Sequence, residues 1–67
     1  MTIGETLRKA RRKLRKRQLD IAVELGCTQP TVQAWESDKY QPRSKLVRAI
    51  AKAYGVKPEV LLPKAAA

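Results

Sequence analysis

The chain has 67 residues and a formal net charge of +9, from 15 basic and 6 acidic side chains, with one cysteine and no histidine. A chain of this length forms one small domain with a modest core, which leaves little room for a deep catalytic pocket. No glycine-rich phosphate loop or paired-carboxylate pattern occurs, and a lone cysteine cannot build a metal cluster. We therefore expect no enzymatic activity, no cofactor and no bound metal.

The sequence also disfavours export and membrane insertion. Its first residues are charged early and carry no apolar signal segment, and no apolar run reaches the ~18 residues of a membrane span. Cys27 cannot form an internal disulfide, and we interpret it as a small core residue in a reducing compartment. The basic excess instead indicates a polyanionic partner, nucleic acid first and an anionic membrane second.

The first predicted helix begins near Thr2, because Thr2 and Glu5 have the spacing of a capping box. Its apolar stripe, at positions i, i+4, i+7 and i+11, consists of Ile3, Leu7, Ala10 and Leu14. Eight of the ten residues from Arg8 to Arg17 are basic, with no acid between them. This run forms either a solvated helix face or a surface that attracts phosphate.

Residues 18–35 predict a short helix, a glycine turn and a second short helix. Ala22 supplies the small side chain needed where two steeply crossing helices touch, and Gly26 accepts the positive φ of the turn. Val32 and Trp35 are three residues apart and share the inner face of the second helix. The pattern is that of a helix-turn-helix.

The rest of the chain also predicts helices. Thr28 is expected to cap the third helix, which ends near Ser37, and residues 38–42 form a loop. Ser44 is expected to cap a fourth helix, which Gly55 ends. The inward residues of that helix are Val47, Ile50, Ala51 and Tyr54. Pro58 opens a last short helix, which carries Val60, Leu61 and Leu62.

The predicted fold is all-α, a compact bundle of about five short helices over residues 1–63, followed by a flexible tail over residues 64–67. The outward positions of the third helix are Gln29, Pro30, Thr31, Gln33 and Ala34. Several of these can hydrogen-bond base edges, and a helix-turn-helix places its second helix in the DNA major groove. Beside such a motif, the basic run favours phosphate attraction.

From about Thr2 to Leu62 the chain resembles the Cro/C1-type (XRE-like) helix-turn-helix family, which includes lambdoid phage repressor and Cro domains. The matching positions are Arg11, Gln18, Ala22, Gly26, Thr28, Gln29, Val32, Trp35, Glu36, Pro42, Tyr54, Gly55 and Val56. The resemblance implies a sequence-specific transcriptional regulator, most often a repressor, that binds a palindromic operator in double-stranded DNA as a homodimer. It also implies a bacterial cytoplasm or nucleoid as the location, with no membrane and no small-molecule ligand as partner.

The resemblance assigns roles to individual residues. Gln29 matches a glutamine that reads adenine through its amide, while Gln18 matches one that contacts phosphate and is placed to hold Gln29. Base contacts are expected from Gln29, Pro30, Thr31, Gln33 and Ala34. Backbone contacts are expected from Arg17, Gln18, Ser37, Lys39, Tyr40 and Arg43. Arg11 and Glu36 match a structural ion pair.

A dimer surface is expected near the end of the chain, together with the loop before the fourth helix. One short helix cannot bury every side, so part of it is expected to reach a partner subunit. The residues assigned to this surface are Val56, Pro58, Val60 and Leu61.

Two sites depart from the family pattern. Relatives usually carry Gly-Leu where this chain has Arg15 and Lys16, so we expect a longer first helix or a strained turn, and the loss of one core contact. Asp38 stands where glycine or asparagine is common. Aspartate tolerates that turn, but it places an acid near phosphate.

Two other functions remain open. One is a protein-interaction adaptor or coactivator on the same fold, against which the polar side chains of Gln29 and Gln33 argue. The other is a cationic membrane-active helix over Arg8 to Arg17, which lacks the bulky aromatic residues that such helices insert.

Overall fold

The computed structural model describes residues 2–61 and consists of helices joined by short turns. The four α-helices are α1 (Ile3–Lys13), α2 (Gln18–Leu25), α3 (Gln29–Glu36) and α4 (Val47–Tyr54). Two 3₁₀ turns, Ser44–Leu46 and Pro58–Leu61, flank α4. Residues 2–61 contain no strand, so the all-α prediction is confirmed, with a single 3₁₀ turn in place of the fifth helix. Leu62 and the predicted tail over residues 64–67 lie outside the described residues.

The apolar stripes of the helices converge on one core. Its largest fully buried side chains are Leu7, Ile21, Val32, Ile50, Tyr54 and Leu61. Leu14 is predicted to continue the stripe of α1, but it lies one residue beyond the end of that helix and is 44 % exposed. Within residues 2–61 no helix is both long and apolar enough to span a membrane.

The N-terminus of α1 is packed tightly against the end of α3. Thr2 is the N-cap, and its Oγ1 accepts a hydrogen bond from the Glu5 N–H at 3.1 Å, which forms one half of the predicted capping box. A Cβ added to Gly4 would lie 2.5 Å from the Glu36 carbonyl oxygen. The close approach of the two helices therefore requires glycine at position 4, a role that the helical periodicity did not indicate.

The turn between α1 and α2 contains the first departure from the family pattern. Arg15 has φ 55°, so α1 does not run on, and the chain instead takes the strained turn. Lys16 occupies the position of the missing leucine. Its Nζ lies 2.8 Å from Glu24 Oε1 and donates to the Ala53 carbonyl at 3.3 Å. Lys16 therefore links α2 to the last turn of α4 through polar contacts.

The start of α4 differs from the prediction. Ser44 was expected to cap this helix, but it is the first residue of a 3₁₀ turn, and α4 begins three residues later at Val47 without a side-chain cap. Gly55 ends α4 in the left-handed conformation, with φ 70°, as predicted.

A buried carboxylate on α3 connects all four helices. Glu36 is only 2 % exposed, and it accepts hydrogen bonds from Arg11 Nε at 2.8 Å and Arg11 Nη2 at 2.9 Å. Tyr54 Oη on α4 donates to Glu36 Oε2 at 2.8 Å, and Gln18 Nε2 on α2 donates to Glu36 Oε1 at 3.3 Å. The predicted Arg11–Glu36 contact is present, with two further donors that the sequence did not indicate.

The donors determine the charge state of this carboxylate. Burial alone would raise the pKa of Glu36, but hydrogen bonds from Arg11, Tyr54 and Gln18 outweigh burial and hold it below its usual value. Burial and the hydrogen bond to Glu36 raise the pKa of Tyr54, so its hydroxyl remains a donor. Glu36 is therefore an ionised group with a full set of donors inside the fold.

Replacing Arg15 with glycine should stabilise the protein. The left-handed conformation costs an L-residue about 1–2 kcal/mol, and the greater freedom of glycine in the unfolded chain offsets part of the relief. We expect the free energy of unfolding, measured by urea titration, to be about 0.5–1 kcal/mol higher for Arg15→Gly than for Arg15→Ala, which loses the same charge but keeps its Cβ. Equal stability of the two variants would contradict the strained turn.

Breaking the Arg11–Glu36 pair from either side should cost more than removing both charges together. Either single change leaves a charge inside the fold without its counterion, because Arg11 is 14 % exposed and Glu36 is 2 % exposed. In a double-mutant cycle of Arg11→Met and Glu36→Gln, we expect a coupling energy of about 1–3 kcal/mol from urea unfolding.

The exposed pair Lys16–Glu24 provides the control for that cycle. Its side chains are 31 % and 43 % exposed, so Lys16→Met and Glu24→Gln should couple by less than about 1 kcal/mol. A coupling energy between Arg11 and Glu36 no larger than that of the control pair would show that the buried pair does not act as a unit.

Candidate nucleic-acid interface

The turn between α2 and α3 has the geometry that the sequence predicted. Gly26 has φ 69° and ends α2, and Ala22 is fully buried where α2 meets the core. Thr28 is the N-cap of α3, although its Oγ1 lies 3.0 Å from Thr31 Oγ1 and does not cap the backbone. The two helices are thus set at a fixed angle around Gly26, which positions the outer face of α3.

The outer face of α3 presents the side chains predicted to lie there. Gln29, Pro30 and Gln33 are exposed, while Thr31 and Ala34 are half-buried. Val32 and Trp35 are buried in the core, which confirms their inward orientation. Gln29 and Pro30 occupy the first turn of α3. The exposed side of α3 therefore offers two amide side chains one turn apart, with an apolar proline next to the first of them.

Gln18 braces α3, but at a different residue from the one expected. Its Nε2 donates to Gln33 Oε1 at 2.8 Å and to Glu36 Oε1 at 3.3 Å. The prediction that Gln18 holds Gln29 is wrong, because the N-terminus of α2 lies beside the second half of α3, about one turn beyond Gln29. The orientation of Gln33 is thus fixed by the same network that contains the buried carboxylate.

The segment after α3 forms an exposed border to this face. Ser37, Lys39, Tyr40 and Arg43 are all exposed, and Tyr40 is 63 % exposed although aromatic. The Lys39 ammonium lies 5.7 Å from the centre of the Tyr40 ring. Between this segment and α3 runs a groove of about 550 Å³, lined by Pro30, Thr31, Gln33, Ala34, Trp35, Ser37, Lys39 and Tyr40.

Arg17 lies at the other border, at the N-terminus of α2. Its side chain is 77 % exposed and pairs with Asp20 at 3.2 Å. Hydrogen bonds from the Arg17 side chain and backbone lower the pKa of Asp20. The pair is exposed and open to exchange with another anion, since surface ion pairs of this kind contribute little stability.

Asp38 has a structural role that the sequence did not reveal. It adopts φ 62°, and its Oδ2 accepts a hydrogen bond from Thr2 Oγ1 at 2.7 Å while Oδ1 accepts from the Gly4 N–H at 2.9 Å. These two donors, together with the charge of Arg8, lower the pKa of Asp38. The acid therefore caps the N-terminus of α1, where a carboxylate is favourable.

The residues assigned to a dimer surface fall into two groups. Val56 and Pro58 are half-buried and Val60 is exposed, so all three are accessible to a partner. Leu61 is only 2 % exposed and belongs to the core of its own chain, so its assignment to a dimer surface is wrong. A 3₁₀ turn repeats every three residues, so Leu61 shares the inward face with the half-buried Pro58, while Val60 lies on the exposed side.

Comparison with known proteins places this geometry in a family. The helix-turn-helix family model matches residues 7–61. Among solved structures, the chain is similar to the P22 c2 repressor protein, whose structure was determined in complex with synthetic operator 9T in the presence of Tl+. The two share 29% sequence identity with a TM-score of 0.86, over 92% of this chain and 94% of that one.

No curated protein sequence matches the chain. The family model nonetheless covers most of the chain, including the turn at Gly26 and the Arg11–Glu36 pair. The chain belongs to the Cro/C1-type helix-turn-helix family.

Proposed function

We propose that this protein is a transcriptional regulator that binds a specific sequence in double-stranded DNA, with α3 in the major groove, and acts as a repressor by occupying a promoter. The observation that carries the proposal is the outer face of α3, where Gln29 and Gln33 are exposed and Gln33 is held by Gln18 at 2.8 Å. Exposed amides on a rigid helix are suited to hydrogen-bonding the edges of bases.

The readout follows from the chemistry of the exposed side chains. Gln29 lies at the N-terminus of α3, the end of a recognition helix that contacts base edges. Its amide offers one donor and one acceptor, which match adenine N7 and N6 in the major groove. Pro30 offers neither, so it supplies apolar contact only, and Thr31, Gln33 and Ala34 complete the surface.

The two borders of α3 hold the DNA backbone in this proposal. Gln18 and Arg17 lie at one border, and the exposed segment with Ser37, Lys39, Tyr40 and Arg43 lies at the other. Arginine and lysine contact phosphate without regard to sequence, so these residues set the affinity while α3 sets the specificity. Arg43 matches an arginine that enters a narrowed minor groove in some relatives, and in this proposal it has the same role.

A homodimer on a pseudo-palindrome completes the proposal. One recognition helix reads only a few base pairs, which is too little to find a site in a genome. A two-fold pair separates the recognition helices by about one turn of DNA, ~34 Å. Val56, Pro58 and Val60 are accessible for this contact. The similarity to a repressor whose structure was determined with a synthetic operator supports the same class of partner.

Selection of binding sites from random duplex DNA tests the proposal. We expect a palindromic consensus whose half-sites are about one helical turn apart, and a footprint that covers both half-sites. The adaptor alternative predicts no enrichment of any sequence over the starting pool. An unenriched pool would therefore overturn DNA recognition, and a footprint over one half-site at saturation would overturn the dimer.

Replacing Gln29 with alanine should relax the preference at one symmetric pair of operator positions. A bidentate amide–adenine contact is worth about 1–3 kcal/mol against a wrong base, so competition between consensus and substituted operators should show a loss of that size. Binding to non-specific DNA should remain almost unchanged. Pro30→Ala is the control at the adjacent residue, and it should leave the base preference unchanged at the operator positions that are read by hydrogen bonds. If selection with Gln29→Ala gave the same consensus as the parent, Gln29 would not be the residue that reads the base, and Thr31 or Gln33 would be the candidates.

Replacing Lys39 or Arg43 with alanine should weaken binding to all sequences alike. Each lost phosphate contact reduces the slope of log affinity against log salt by about 0.9. Lys52→Ala removes the same charge from the exposed side of α4 and should leave the slope near that of the parent. Identical slopes for all four proteins, measured by fluorescence anisotropy from ~50 to ~200 mM salt, would remove this segment from the DNA contact.

A further inference from the structure

The basic run in and after α1 is divided by the fold into paired and unpaired cations. Arg11 pairs with Glu36, Lys16 with Glu24 and Arg17 with Asp20. Within residues 2–61, the other five cations of the run form no salt bridge: Arg8, Lys9, Arg12, Lys13 and Arg15. Four of these lie on the exposed side of α1, where they are available to an external anion.

The unpaired cations of α1 do not all border the same surface. Arg8 and Arg12 line an indentation of about 360 Å³ whose opposite wall is the end of α3 and the residues that follow it, Glu36, Ser37 and Asp38. Lys13 lies on a separate groove beside the end of α4, with Leu14 and Gly55. Lys9 lines both surfaces. Arg8 and Arg12 line only the indentation that adjoins the segment carrying Ser37.

We propose that Arg8 and Arg12 form an additional phosphate-binding edge, which contacts the backbone of DNA flanking the bases read by α3 on the same duplex. The proposal rests on the proposed function, and it extends the contact surface beyond the helix-turn-helix. Arg8 and Arg12 line the same indentation as Ser37, the first residue of the segment proposed to contact the DNA backbone. A DNA strand bound by that segment would therefore also lie beside α1.

The acids around the indentation do not cancel this edge. Glu36 is neutralised by Arg11 inside the fold. Asp38 accepts hydrogen bonds from Thr2 Oγ1 and the Gly4 N–H at the N-terminus of α1. The charge of Arg8 also lowers the pKa of Asp38, but within residues 2–61 no salt bridge joins the two side chains. Glu5 contacts the Thr2 hydroxyl at 3.3 Å and lies about one turn before Arg8 on α1. Arg8 and Arg12 remain as exposed cations on its rim.

Arginine is suited to this contact by its geometry. The planar guanidinium presents several N–H groups that match two phosphate oxygens at once. Residues four apart on a helix have Cβ atoms about 5–6 Å apart, so Arg8 and Arg12 present two such forks on one face. This chemistry identifies a phosphodiester strand as the ligand. Because Arg8 and Arg12 line the same indentation as Ser37, the strand is expected to belong to the duplex bound by α3 and not to a second polyanion.

A charge-matched pair of double variants tests the proposal. Arg8→Gln with Arg12→Gln removes the edge, and Lys13→Gln with Lys52→Gln removes two charges from other exposed helix positions. Glutamine has a helix propensity close to those of arginine and lysine, and equal thermal melts by circular dichroism would confirm that both variants are folded. Affinity is measured against salt for the selected operator, with flanks of increasing length.

The parent should gain affinity as the flanks lengthen by several base pairs, and the arginine variant should not. The arginine variant should also show a salt slope shallower by about 1.8 per chain, while the lysine variant keeps the parent slope. The flanking contact would be overturned if both variants kept the salt slope of the parent. It would also be overturned if the arginine variant bound the operator like the parent and lost only the ability to capture a second duplex. Failure of the parent to enrich any operator would instead overturn the proposed function itself.

Discussion

The buried carboxylate of Glu36 is the interaction on which the arrangement of this domain depends. It lies on α3 and receives hydrogen bonds from Arg11 on α1, Gln18 on α2 and Tyr54 on α4. A buried charge with this many donors has few alternative positions, because any shift of α3 would strand both the carboxylate and the guanidinium. The carboxylate thereby couples the orientation of the DNA-facing helix to the packing of the other three.

The same network extends to the surface through Gln18. The Gln18 amide bonds Glu36 on the inner side of α3 and Gln33 on the outer side. The exposed face is therefore connected to the core by side chains with defined positions, and recognition gains from such preorganisation because little freedom is lost on binding. Two residues that depart from the family pattern have only local effects on this network: Arg15 adopts a strained turn, and Asp38 caps α1.

The α2–turn–α3 unit could be predicted because its signals are local: a small residue at Ala22, a positive-φ glycine at Gly26 and helical periodicity at Val32 and Trp35. Partners that depend on the relative placement of helices could not be predicted in this way. Residue spacing does not show that Gln18 meets Gln33 instead of Gln29, that the Tyr54 hydroxyl joins the ion pair, or that Asp38 caps α1. The burial of Leu61 likewise depends on the 3₁₀ geometry of its turn. Base and phosphate contacts stay predictions, since they concern a partner.

The most direct test is an amide NMR titration of the protein with the operator duplex obtained by selection. If α3 enters the major groove on a frame held by Glu36, the largest shifts should map to Gln18, to the first turn of α3 and to the segment from Ser37 to Arg43. The signals of core residues such as Ile50 should stay in place. Shifts confined to the exposed sides of α2 and α4, with α3 unchanged, would contradict the account and indicate a surface for another partner.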